Sequence, residues 1–125
     1  MSDSIGQIGE RAAEAYLLKN GHLTRERNFT RRPFGEIDIV SQVAGTLCFT
    51  EVKTSLFVEG SGFTPEIRVN RRKIRRLKRI CEVYLRENNL LDRNWRIDVI
   101  SVILGKDNSV LKLEHFENAV FRSKY

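Results

Sequence analysis

Ile5, Ile8, Ala12, Ala15 and Tyr16 recur at helical intervals until Asn20-Gly21 supplies a stop, and Ser4 with Gln7 has the spacing of a capping box. This pattern predicts a first helix. Leu23 to Phe29 then alternates apolar and charged side chains, as a half-exposed edge strand would, and Pro33-Phe34-Gly35 breaks it. Glu36 to Val40 and Leu47 to Lys53 are short β-rich runs joined by Ser41 to Gly45, which predicts a hairpin. The second run, mostly uncharged until Glu51, reads as a central strand. From about Asn70 to Asn88, Ile74, Leu77, Cys81, Tyr84 and Leu85 form one apolar stripe, with arginines over much of the remaining circumference. Trp95 to Leu104 is strongly β-branched, and Gly105 to Ser109 offers a turn into a last strand, Val110 to Phe116. The expected fold is α/β, in the order α-β-β-β-α-β-β. A helix between the hairpin and the next strand predicts a mixed sheet with a right-handed crossover, flanked by helices.

The length of 125 residues makes residues 1–125 a single domain with a real core, and no internal repeat divides them. Thr54 to Pro65, with Gly60, Ser61 and Gly62, is the one long loop expected. With 41% apolar and 30% charged residues and no apolar run near the ~18 residues of a membrane span, the chain reads as neither disordered nor membrane-bound. Met1 to Ser4 carries no basic region leading into an apolar stretch, so the expected location is cytoplasmic. Cys48 and Cys81 have no Cys or His near them at a zinc spacing and are expected as reduced, mostly buried thiols.

Charge changes the picture through its placement. Arg68 to Arg79 holds eight bases and no acid (Arg68, Arg71, Arg72, Lys73, Arg75, Arg76, Lys78 and Arg79), more than the whole net charge of +6. One local positive field results, and a polyanion is its natural partner. Arg72, Arg75, Arg76 and Arg79 are expected along a solvent face, binding backbone phosphates without sequence preference. The alternative is a helix that is merely well solvated. The stripe lacks the Trp and Phe that would anchor it on a membrane, and no phosphate-cradling G-x-x-x-x-G-K loop is present, so neither a membrane nor an NTP is an expected partner.

Period-two geometry puts Glu51 and Lys53 on the same face of one strand, and Asp38, between Ile37 and Ile39, can point to that face from the neighbouring strand. Two nearby carboxylates repel unless a divalent cation neutralises them, and hard oxygens suit magnesium. Such a cation holds a phosphate oxygen and an attacking water while Lys53 orients the water, helps deprotonate it, or offsets charge on the phosphorane. Surface ion pairs would leave the same sequence pattern. Phe57 and Phe63 either stack on an exposed base, fold back into the core or form part of a dimer contact, and His22 and His115, isolated in sequence, read as structural.

Gly6-x-x-Gly9-Glu10 with Ala13 and Tyr16-Leu17, Asn28, Gly35-Glu36-Ile37-Asp38-Ile39-Val40, Phe49-Thr50-Glu51-Val52-Lys53-Thr54, Lys73, Ile97-Asp98-Val99 and Asn118-Ala119 resemble the YraN family. These are small bacterial proteins of largely uncharacterised role. The resemblance implies a restriction-endonuclease-like (tRNA endonuclease-like) core with the PD-(D/E)xK nuclease motif and kinship to archaeal Holliday junction resolvases. It implies that Asp38 and Glu51 are metal ligands, that Lys53 is the catalytic lysine, and that Glu10 is an acid added to the site by the first helix. Ser55 stands where the family usually has Arg, which puts one phosphate contact in doubt. The expected activity is phosphodiester hydrolysis of DNA, branched DNA by analogy, with Mg2+ or Mn2+, and paired cuts at a junction would require a homodimer. Two alternatives are a nucleic-acid-binding module with a silent nuclease site and a subunit whose basic face docks an acidic protein.

Overall fold

The computed structural model describes residues 3–60 and 71–119. Helix α1 spans Ile5–Lys19 and starts with the expected capping box: the Gln7 N–H donates to Ser4 Oγ at 3.2 Å, and the Ser4 N–H to Gln7 Oε1 at 2.9 Å. Strands β1 (Leu23–Arg31), β2 (Gly35–Val43) and β3 (Thr46–Leu56) follow, then α2 (Arg71–Glu87), β4 (Trp95–Leu104) and β5 (Val110–Phe116). The sheet runs β1-β2-β3-β4-β5, parallel only between β3 and β4, so the mixed sheet and the edge position of β1 agree with expectation.

The hairpin turn is shorter than the sequence implied, and the expected long loop begins later. Ser41 to Val43 continues β2, and the reversal is confined to Ala44 and Gly45, both at positive φ (46° and 79°), as a two-residue hairpin turn requires. Thr54 to Leu56 continues β3, because each pairs with a residue of β4 as far as Leu104. Residues 61–65 of that expected loop, Phe63 among them, lie outside the described residues, and Phe57 is half-buried with its N–H donated to the Leu104 carbonyl.

Side chains of β2, β3 and β4 enter both of two cores, so the sheet is covered on both faces. Leu77, Ile80, Cys81, Tyr84 and Leu85 of α2 pack on Phe29, Ile37, Val40, Leu47, Phe49 and Ile97. Tyr84 meets Phe29 and Phe49 edge-on, with centroids 5.1 and 5.7 Å apart. On the other face, Ala13 and Leu17 of α1 pack on Ile39, Ile100, Val102 and Leu104. Cys48 and Cys81 are buried thiols, and burial pushes Cys48 up to about 12.

Gly9 lets α1 lie directly on β3. A β-carbon there would fall 1.9 Å from Thr54 Oγ1, so the helix comes this close only because the side chain is hydrogen. Among the described residues, no helix is long and apolar enough to cross a membrane.

Candidate active site

The sheet forks at the site. The β2–β3 ladder ends at the pair Ile39 and Thr50, whereas β2 stays with β1 back to Gly35 and β3 stays with β4 on to Leu56. Ile37 belongs to the core under α2 but Ile39 to the core under α1, so β2 turns about its axis at Asp38, opposite the positive-φ Asn28 of β1. Past the last rung, the Val52 N–H has no β2 carbonyl to meet. Asp38 Oδ2 accepts it instead, at 2.8 Å.

This geometry corrects the expectation of a single shared face. Asp38 opens into a cleft of about 370 Å³ beside α1, together with Glu10 and Asn28, while Glu51 lines a second cleft of about 240 Å³ against α2. Asp38 is bonded to the backbone of the residue that follows Glu51, and the Glu51 charge is felt at its carboxyl. Glu10 shares the cleft of Asp38 and is tied to β1: the Asn28 amide donates to Glu10 Oε1 at 2.9 Å and to Glu36 Oε1 at 3.2 Å. Among the described residues, no three acidic, histidine or cysteine side chains gather into a metal-holding group, so Glu10, Asp38 and Glu51 do not form the expected trio of ligands.

The electrostatics of Asp38 and Glu51 are unbalanced. Burial, with the charges of Glu10, Glu36 and Glu51, pushes the Asp38 carboxyl up to about 6 against the pull of the Val52 N–H. Glu51 Oε1 lies 3.0 Å from Lys73 Nζ and 3.6 Å from Lys53 Nζ, but its Oε2 is buried with no hydrogen-bond partner among the described residues. An anion that resists ionising and an orphaned carboxylate oxygen fit a divalent cation. Magnesium characteristically uses one or two carboxylates and completes its shell with water and substrate phosphate.

Glu51 and Lys53 share a face, as expected. Lys53 is held below the ordinary lysine range by its hydrogen bond with Lys73 and by burial, against the attraction of Glu51. Lys73 was expected among the phosphate contacts of the basic helix, yet it turns inward to Glu51. The sequence carries a signal for this, because Lys73 precedes Leu77 by one helical turn and so borders the buried stripe. Asn28 and Glu36 had no assigned role, and only the pairing of β1 with β2 brings them beside Asp38.

Arg72, Arg75, Arg76 and Arg79 are exposed and line a concavity of about 450 Å³ on α2. Arg71 is exposed and Lys78 half-buried, while Arg68 lies outside the described residues.

The sequence profile of the uncharacterised protein family UPF0102, the YraN family, matches residues 9–102, a span that includes the fork, Asp38, Glu51, Lys53 and all of α2. The chain belongs to this family. The UPF0102 protein of Acetivibrio thermocellus is 38% identical over 119 residues, 93% of this chain and 90% of its own length. That of Clostridium acetobutylicum is 38% identical over 119 residues, 95% of each chain. That of Moorella thermoacetica is 40% identical over 115 residues, 91% of this chain and 92% of its own.

A second polar cluster in this UPF0102 chain lies under the C-terminal half of α1. Asp98, fully buried, accepts His115 Nε2 at 2.6 Å, the Asn118 N–H at 2.8 Å and Arg96 Nε at 3.0 Å. Burial alone would raise its carboxyl, but hydrogen bonds from His115, Asn118, Cys48 and Arg96 outweigh that and hold it at about 2. His22 meets Ser41 at 2.9 Å and His115 meets Tyr16 at 3.3 Å, so both histidines are tied into interior contacts.

Proposed function

We propose that this UPF0102 protein is a divalent-metal-dependent nuclease with the restriction-endonuclease-like PD-(D/E)xK site of Asp38, Glu51 and Lys53, which binds DNA along the arginine face of α2. The observation that carries the reading is the pair at the fork: Asp38, costly to ionise, and Glu51, with one buried oxygen unsatisfied, on either side of the Val52 N–H. Asp38 and Glu51 would hold magnesium or manganese, which when bound supplies charge neutralisation and a polarised water.

The protein's own groups do the rest. Arg72, Arg75, Arg76 and Arg79 grip successive backbone phosphates, which steers the strand toward the C-terminal end of β3. Lys53 Nζ, beside Glu51 Oε1, takes a proton from water as the water oxygen bonds to phosphorus and the bond to one sugar oxygen breaks, the departing oxygen taking a proton from solvent. Lys73 holds Glu51 by Oε1 from α2, which leaves Oε2 available to the cation. Glu10, tied to Asn28, adds negative charge next to Asp38 rather than a ligand contact of its own.

The test is incubation of labelled single-stranded, duplex and four-way-junction DNA with the protein and magnesium or manganese, beside Asp38→Asn and Lys53→Ala. Metal-dependent cleavage by the wild type, lost by at least 100-fold (~) in both variants while DNA binding persists, is the expected result. A second reading, a DNA-binding module with a silent site, draws on the two lysines that already neutralise Glu51 Oε1. Salt-sensitive binding with no cleavage under any metal would select it.

A further inference from the structure

We propose that the cleft between the β1–β2 turn and α2 holds one unstacked nucleotide base, with Phe34 as its stacking wall, so that the preferred substrate is a strand with an unpaired nucleotide beside the cut. The inference rests on the nuclease reading and extends it to the class of substrate.

The cleft, about 240 Å³, has two kinds of lining. Leu77 and Ile80 of α2 and Phe34 of the turn give it apolar walls, and Glu36, Glu51, Lys73 and Arg76 supply its polar lining. Phe34 is 38% exposed and lines the cleft, so part of its apolar surface is open to a ligand. The turn holds it there: the Phe34 N–H donates to the Arg31 carbonyl at 2.8 Å, and Gly35 reverses the chain at φ +122°, a conformation disfavoured for any residue with a β-carbon.

Flat apolar faces joined to an anionic backbone describe a nucleotide, and this cleft offers the complement of both. The apolar walls accept the faces of a base, while Lys73 and Arg76 face its phosphate. Arg76 also lines the arginine concavity, so the phosphate track runs without interruption into the cleft. A base stacked and paired within a duplex cannot enter; an unpaired or extruded one can. Because Glu51 lines the same cleft, a base seated there sets its own phosphate beside Glu51 and Lys53.

The experiment measures fluorescence anisotropy of a short labelled oligothymidylate and of a duplex, without divalent metal so that no cleavage occurs. It compares wild type, Phe34→Ala, Phe34→Leu and Arg75→Ala, each checked by thermal melting. Both Phe34 variants are expected to weaken single-strand binding about tenfold with duplex binding unchanged, whereas Arg75→Ala weakens both. Equal single-strand affinity in Phe34→Ala and wild type, or equal losses on the two ligands, overturns the base pocket and leaves the nuclease reading standing. A wild type that binds neither ligand overturns both.

Discussion

At the scale of single residues, Asp38 is the group under most tension. Its carboxyl, raised to about 6 chiefly by burial, binds a proton more tightly in the folded chain than in the unfolded one. The stability this contributes is fully present below about pH 4 and is lost as pH rises through about 6, because above that range the fold must carry a buried anion beside Glu10, Glu36 and Glu51. Asp38→Asn keeps an oxygen for the Val52 N–H and removes the charge. The variant is therefore expected to be more stable than wild type at pH 8 by about 1–3 kcal/mol in urea denaturation, with the difference shrinking toward pH 4. Greater stability of the wild type at pH 8 would contradict this account of the site. Lys73 is a second case in which one side chain's chemistry depends on where the helix puts it. Its four-residue spacing from Leu77 marks the inner border of the stripe, and that spacing outweighs its membership of a run of bases.

At the scale of elements, the sequence was most readable where one element's pattern suffices. The capping box of α1, the apolar stripe of α2 and the alternation that pairs Glu51 with Lys53 are each written locally, and each appears in the fold. What could not be read locally is the fork. Period two predicted that Asp38 would share a face with Glu51, but β2 turns at Asp38, because its pairing passes from β3 to β1 alone beyond Ile39. The contact of Glu10 with Asn28 escaped the sequence for the same reason, since it joins α1 to β1. Close seating of α1 is what brings Glu10 there. Gly9→Ala is expected to destabilise the protein by about 1–3 kcal/mol in urea melts, because the added methyl must displace the helix from Thr54. Alanine's helix propensity offsets only about 1 kcal/mol. A variant as stable as wild type would show that α1 seats without needing glycine at that contact.

At the scale of the whole molecule, the sheet separates two duties between its faces. One face is closed by α1 over Ile39, Ile100 and Leu104, with the Asp98 and His115 contacts in its interior; the other carries α2, whose inner side fills the core and whose outer side presents arginines. Between them lies the fork, where Asp38 of β2 is bonded to the backbone of β3 next to Glu51. In the proposed nuclease, Asp38 and Glu51 share one divalent cation at that fork. Titration of the protein with Mn2+ in a calorimeter, free of nucleic acid, tests it most directly. One Mn2+ bound by the wild type, with affinity at least tenfold (~) lower in both Asp38→Asn and Glu51→Gln, is the expected result. Binding that is absent from the wild type, or that survives unchanged in either variant, would contradict it.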